Sequence, residues 1–359
     1  MKIDDSTVDS PATRQAFTAR LLKALPLILP RFTISPKRQT HGSSGHSRVV
    51  VEMIAPSGRR RTLHVEPKMA SAPSQVLHAL HRLNAAFPKR SRGYPVLAST
   101  FLSPRVRQLC REHGVGYVDL AGNCYLQFDD LYLERAVEKN PSPRRGRPSS
   151  LFSPVSTRIV RALLEEPRRR WTLSELAETC RVSLGQTSNV CRRLIAESYG
   201  ERTDRGVRLV RPGDLLDAWR AAGPMTSAQA AYYSFERDPD RLLRRVAEIA
   251  AARRWRYAVT SFAAAARVAP FVRGVGVAQW YIDSPHAIDE WVAALDLRPV
   301  ESGPNVMLVT PYDEGVFYRA KRVGGVMLVG HVQLYLDLCQ ERARGVEQAE
   351  FLRKERIKF

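Results

Sequence analysis

Between Val182 and Arg193 the chain sets out Ser183, Gly185, Gln186, Ser188, Asn189, Arg192 and Arg193, residue types suited to recognising nucleic acid. Gln and Asn amides match the donor and acceptor pair on adenine, and Arg forks onto guanine or holds a phosphate oxygen. A helical register that turns Thr187, Val190, Cys191 and Leu194 inward leaves these residues and Leu184 facing outward. Gly185 lowers helix propensity by up to about 1 kcal/mol, a cost consistent with close approach of a DNA backbone. Downstream, Asp204-Arg205-Gly206 makes a tight turn with Arg202, Arg208 and Arg211 beside it, spaced to touch phosphates or the minor groove. A second group could do bond-breaking chemistry. Glu66 and Lys68 stand two residues apart on one strand face, and with Glu52 they could hold a divalent ion and orient a water. No Asp occurs between Asp9 and Asp119, so Glu52 is the nearby acidic partner available. Hard cations want several oxygens in near-octahedral geometry, which makes this set a poor metal site and a non-catalytic scaffold the expectation.

The elements needed to present the first group are legible around it. Apolar Leu173, Leu176, Ala177, Cys180, Val182, Val190 and Leu194 recur at helical spacing and predict helices over 173–180 and 184–198, with Arg181-Val182-Ser183 as the turn. A further helix is expected over 156–164, and a hairpin over 199–210. Ser183 is placed to cap the third helix. This is the pattern of a winged helix-turn-helix. It resembles bacterial winged-helix regulators in Val182-Ser183-Leu184-Gly185 followed by Ser188 and Val190. It departs from them at Arg181, where a small residue is customary, and at Thr187, where Val or Ile is common.

At 359 residues the chain exceeds one ordinary core and implies two or three domains. Its 56 Lys and Arg against 36 Asp and Glu give a net charge of +20, which favours a polyanionic partner, duplex DNA first. Five scattered cysteines, Cys110, Cys124, Cys180, Cys191 and Cys339, show no zinc spacing and no disulfide frame, which points to a reducing cytoplasm. Cys180 and Cys191 fall on apolar helix positions. The apolar run 21–29 is broken by Pro26 and is too short to span a membrane. No nucleotide-binding glycine loop, serine triad or cofactor motif is present, so no cofactor is expected. The Pro-, Ser- and Arg-rich segment 140–150 reads as a basic linker.

Before that linker, a helix over 13–25, a hairpin of strands 48–54 and 62–65, a helix over 74–86, a strand 94–99, a helix starting at Ser103-Pro104 and strands 116–120 and 124–128 predict a mixed sheet with helices on its faces. The segment Leu63-His64-Val65-Glu66-Pro67-Lys68, in that element order, resembles the E-x-K of restriction-endonuclease-like, PD-(D/E)XK folds. The run from Gly114 to Leu126 is similar to a segment of proteins joining such a fold to a winged helix, with Ala121-Gly122-Asn123 a tight turn and Asp119 its cap.

After residue 223 the order is again α/β. Ala269-Pro270-Phe271-Val272, Pro299-Val300-Glu301, the run Pro311-Tyr312-Asp313-Glu314-Gly315-Val316-Phe317-Tyr318 and Val332-Gln333-Leu334-Tyr335-Leu336-Asp337-Leu338 resemble the C-terminal domain of AbiEi-type antitoxins of type IV toxin-antitoxin systems. The resemblance implies that the winged helix represses the cognate operon. It further implies that the last domain supports antitoxicity towards a nucleotidyltransferase-like toxin. Asp313 and Glu314 point to opposite sides of an extended chain, so capping or contact with basic residues is expected of them rather than catalysis. His331 has no neighbouring His, Cys or acid to make it a ligand. The expectation is thus a multidomain α/β (α+β) chain: a restriction-endonuclease-like domain over 1–139, the linker 140–150, a winged helix-turn-helix over 151–223 and an AbiEi-like α/β domain over 224–359. It binds double-stranded DNA, has a nucleotidyltransferase-like toxin as a further partner, and has no membrane association. The alternative is a metal-dependent nuclease targeted by the winged helix.

Overall fold

The computed structural model describes residues 11–41, 47–68, 73–87, 93–128, 131–137, 151–225, 227–272, 276–283, 287–342 and 344–359. They form two compact units, one made of 11–137 with 196–198 and the other of 151–195 and 199–359. The basic segment 140–150 lies outside the described residues.

The first unit runs α1 (Pro11–Ile28), β1 (Thr33–His41), β2 (Ser47–Ile54), β3 (Arg60–Pro67), α2 (Pro73–Ala86), β4 (Gly93–Ser99), α3 (Pro104–Glu112), β5 (Gly116–Asp119), β6 (Cys124–Phe128) and β7 (Leu131–Arg135). All seven strands lie side by side in sequence order. The pairs β3–β4 and β4–β5 are parallel because a helix fills each connection, and the others are antiparallel. The two-residue period sorts the core. Val96 and Ala98 pack with Phe17, Leu21 and Leu25 of α1, whereas Leu97 between them packs with Val76, Leu80 and Leu83 of α2 and Val106 of α3. The mixed sheet with helices on its faces is therefore what the chain forms.

Strands β1 and β7 were not expected from the sequence, and both are sheet edges. Pro36 sits in β1, where the register shifts between Pro36 and Arg38. A residue without a backbone donor is tolerated at an edge, and a polar, irregular strand such as β1 carries little periodic signal, while β7 is only five residues long.

In the second unit α4 (Pro154–Glu165), α5 (Leu173–Cys180), α6 (Leu184–Ala196), β8 (Gly200–Thr203), β9 (Gly206–Leu209) and α7 (Pro212–Ala221) are followed by β10 (Ala228–Tyr233), α8 (Pro239–Arg253), β11 (Tyr257–Thr260), α9 (Ser261–Val268), β12 (Ala278–Ile282), α10 (Ile288–Leu295), β13 (Arg298–Pro299) and β14 (Val306–Thr310). The chain closes with a 3-10 turn at Glu314–Phe317, β15 (Lys321–Val323), β16 (Val326–Leu328), α11 (His331–Leu338) and α12 (Gly345–Leu352). The large sheet has the order β13-β10-β14-β12-β11-β16-β15. Strand β10, Ala-rich and without alternation, had no legible pattern. One continuous apolar cluster runs from Ile159, Leu163 and Leu194 to Val259, Trp280, Leu308 and Leu334. The helical and α/β parts of this unit therefore share a core rather than meeting across a solvated joint. All five cysteines are free, and burial pushes the Cys180 and Cys191 thiols up to about 12, as suits small core residues.

Candidate nucleic-acid interface

Helix α5 begins on a reciprocal cap: the Glu175 amide donates to Thr172 Oγ1 at 3.2 Å and the Thr172 amide donates to Glu175 Oε2 at 2.9 Å. It ends on Arg181, whose φ of 52° is left-handed, so the arginine in place of a small residue costs about 1 kcal/mol. The turn still closes, with the Val182 amide donating to Ala177 O at 3.0 Å. Ser183 then caps α6 by accepting from the Gln186 amide at 3.3 Å.

Thr187, Val190, Cys191 and Leu194 are buried, as the helical register required. On the opposite side Ser183, Leu184, Gly185, Asn189 and Arg192 are exposed, whereas Ser188 and Arg193 are half-buried. Gln186 departs from a freely outward position: it is half-buried and its side-chain amide donates to Ser156 Oγ on α4 at 3.1 Å. A Cβ added at Gly185 would meet nothing within 4 Å, so the glycine leaves open space above the first turn of α6.

Strands β8 and β9 form the expected hairpin, joined by a third piece at Trp171, which exchanges two backbone hydrogen bonds with Val207 at 2.9 and 2.8 Å. Arg202 and Arg205 are exposed at the hairpin, while Arg208 is half-buried and pairs with Glu201 across the strands at 2.6 Å. The run Arg168-Arg169-Arg170 was not assigned from the sequence. Trp171 carries it to the wing, where Arg170 Nη1 lies 4.0 Å from Asp204 and Arg169 stacks over the Trp171 ring at 3.7 Å. Three consecutive arginines ahead of a tryptophan were the available signal.

Helix α4 docks the α5–α6 pair onto the α/β part through side chains at 158, 161 and 165, one face of the helix. Arg158 forks onto Asp313 at 2.7 and 2.8 Å and reaches Glu314 at 2.8 Å. Asp313 also caps the 3-10 turn, accepting from the Gly315 amide at 2.7 Å. Fully buried Arg161 donates to Tyr312 Oη at 2.6 Å and Gln333 Oε1 at 2.7 Å. Glu165 accepts from the Val332 amide at the start of α11 at 2.8 Å, and burial raises its carboxyl above the ordinary range. The segments around 311–318 and 332–338 thus form the surface that holds α4. Residues 208–358 match the family model described as "Transcriptional regulator, AbiEi antitoxin, Type IV TA system".

The C-terminal part of the chain, residues 208–358, carries the match to the AbiEi antitoxin family.

The match begins inside β9, so the AbiEi-type domain includes α7, which is tied to α12 and the turn after it by Arg220–Glu350 at 2.9 Å and Asp217–Arg353 at 2.6 Å. No curated protein matches the chain. Among solved structures it is similar to "Structure of EndoMS in apo form", with 17% identity, a TM-score of 0.23, and coverage of 29% of this chain and 45% of that one. It is also similar to "crystal structure of a repair endonuclease from Pyrococcus abyssi", with 18% identity, a TM-score of 0.22, and coverage of 30% and 46%. The chain spans less than half the length of either.

The E-x-K residues on β3 are placed differently from a shared metal site. Glu66 is buried and accepts from Arg82 Nη2 at 2.5 Å, with Arg48 Nε 3.6 Å from its other oxygen. Glu52 pairs with Lys37 at 3.1 Å and lies opposite Thr62, four positions before Glu66 along β3 and therefore about 13 Å away at the usual strand rise. Glu52, Glu66 and Lys68 do not converge. Asp119 is fully buried and accepts from the amides of Leu102, Ala121 and Asn123 and from the Asn123 side chain, which makes it a turn cap. Among the described residues no group of three or more His, Cys, Asp or Glu is placed to hold a metal ion. No described helix is long and apolar enough to cross a membrane.

Two further groups in the AbiEi-type domain titrate unusually. His331 is pushed down to about 4 by burial, then by Lys321, whose Nζ lies 3.0 Å from Nε2, so the ring is neutral. The Asp337 carboxyl is enclosed by Thr260, Gln333 and Tyr281 and is pushed up to about 6 by burial, despite those hydrogen bonds and the charge of Arg161 beyond Gln333. A carboxyl raised in the folded chain favours folding when protonated. Its contribution is complete below about pH 4 and is lost as pH rises through about 6, at most about 3 kcal/mol. Asp337→Asn is expected to flatten that decline. Thermal melts from pH 4 to 8 should show the variant gaining on the unaltered chain as pH rises and levelling above pH 7, and a constant difference would refute the assignment.

Proposed function

We propose that the chain is a DNA-binding transcriptional regulator of the AbiEi antitoxin type, in which α6 reads bases and the wing binds phosphates of an operator in its own operon. The observation that carries this reading is the division of α6: Thr187, Val190, Cys191 and Leu194 hold it in the core, while Ser183, Gly185, Asn189 and Arg192 are presented outward on a chain of net charge +20. Gln186, Ser188 and Arg193 flank that face, and Arg202, Arg205 and Arg208 supply the wing contacts. A nucleotidyltransferase-like toxin is the partner proposed for the AbiEi-type domain. The division into domains over 1–139, 151–223 and 224–359, joined by the linker 140–150, is kept as a functional one. The order of helices and strands in the first unit supports reading it as a nuclease-like scaffold, and the arginines on Glu66 support a non-catalytic role.

Gel shifts on the promoter of the chain's own operon test the proposal. Asn189→Ala and Arg192→Ala are each expected to cost about 1–3 kcal/mol of specific binding, roughly 5- to 150-fold, with melting temperature unchanged. Gly185→Ala leaves folding intact or slightly better, because the added methyl meets open space, yet weakens operator binding. Unchanged binding in all three would remove α6 as the reader. Mg²⁺-dependent cleavage of plasmid DNA that Lys68→Ala abolishes would instead establish the nuclease reading.

A further inference from the structure

Beside the face that receives α4, a cleft of about 270 Å³ opens in the AbiEi-type domain. Its floor is the alanine side of α8, and its walls include Trp255, Tyr257, Phe317 and Met327. Two guanidinium groups stand on its rim. Arg256 lies 4.2 Å over the Phe317 ring, and Arg322 makes a single hydrogen bond, to Gly325 O at 3.2 Å. Neither forms an ion pair among the described residues. This sets them apart from their neighbours, since Arg158 is held by Asp313 and Arg319 by Glu166.

Aromatic walls accept a flat ring by stacking, and an unpaired guanidinium is a fork for phosphate oxygens. The volume is small, enough for one ring system with its charged group left at the rim. We propose that this cleft binds a free mononucleotide, with its base against Trp255 and its phosphate on Arg256 and Arg322. Arg256 and Phe317 also line the adjoining cleft of about 220 Å³ that contains Arg181, so the ligand lies next to the turn preceding α6. The binding site stands whether or not α6 reads DNA.

Isothermal titration of the full chain with AMP, ATP and GTP, and with adenosine and inorganic pyrophosphate as the separate halves, tests the assignment. At least one nucleotide is expected to bind saturably at one site per chain, more tightly than either half. Arg256→Gln and Arg322→Gln each weaken that binding about tenfold or more, as loss of a charge-assisted phosphate contact does, with unliganded melting temperatures unchanged. Trp171, Trp219, Trp280 and Trp291 are buried and Trp255 is partly exposed, so nucleotide quenching of tryptophan fluorescence should disappear in Trp255→Phe. Three results overturn the proposal: no saturable binding of any nucleotide, binding by the Gln variants as tight as by the unaltered chain, or pyrophosphate binding as tight as ATP with Trp255 unquenched, which would leave only a basic patch.

Discussion

Replacing Arg161 by Ala is expected to cost about 3–5 kcal/mol and to lower the melting temperature of the second unit by roughly 10 °C. Arg161 is fully buried, and among the described residues no carboxylate touches it. Its charge is balanced at one remove: Gln333 accepts from Arg161 at 2.7 Å and donates to Asp337 at 2.7 Å. The guanidinium also lies 5.1 Å over Trp219 of α7. Removal to Cβ leaves Tyr312 Oη and Gln333 Oε1 without their donor, deprives Asp337 of its distant counter-charge and opens a void against Trp219. Arg161→Met separates packing from charge. An apolar side chain of similar volume restores most of the stability if filling the space is what matters, whereas a loss close to that of Ala assigns the effect to the buried charge. Chemical denaturation of the three chains measures both. A loss below about 1 kcal/mol in the Ala variant would show that α4 is not held at this point. A second readout is operator binding, which should weaken in proportion to the fraction of chain in which α4 has come loose.

The other large effect is expected at Gly206. Its φ is +143°, outside the range of L side chains, and an added Cβ would sit 1.9 Å from the Trp171 carbonyl oxygen. Gly206→Ala therefore has to break the two backbone hydrogen bonds between Trp171 and Val207, and we expect a loss of more than about 3 kcal/mol, above the ordinary range for point changes. The damage can be global or confined to the wing. Hydrogen exchange at the Trp171 and Val207 amides distinguishes these outcomes, because local detachment speeds exchange there while α4 and α6 stay protected. Protection unchanged at both amides, with an unchanged melt, is the result that contradicts the geometry. Gly185 differs: Gly206 is required by backbone geometry, whereas Gly185 only leaves room above α6.

Much of the segment from α5 to β9 was legible beforehand because its signals are local. Thr187, Val190, Cys191 and Leu194 recur at the helical period, Ser183 is a capping type at the right place, and Asp204-Arg205-Gly206 has turn chemistry between two short strands. Strands β1, β7 and β10 were missed for the complementary reason. Edge strand β1, with its proline and polar residues, and the Ala-rich β10 carry no two-residue alternation, and β7 alternates over only five residues. Glu52 was paired with Glu66 from proximity in sequence, and the strand register separates them.

Residue order alone determined which side of α6 is apolar, where its turn and wing fall, and that the whole chain is strongly basic, since each of these depends on spacing within a dozen residues or on a simple sum of charges. Only the tertiary structure decided that Arg158 and Arg161 meet Asp313, Tyr312 and Gln333, that Trp171 completes the wing, and that Arg82 holds Glu66. These partners lie from 16 to 172 positions apart, and no local period encodes a contact made when separate elements bury their apolar faces against one another.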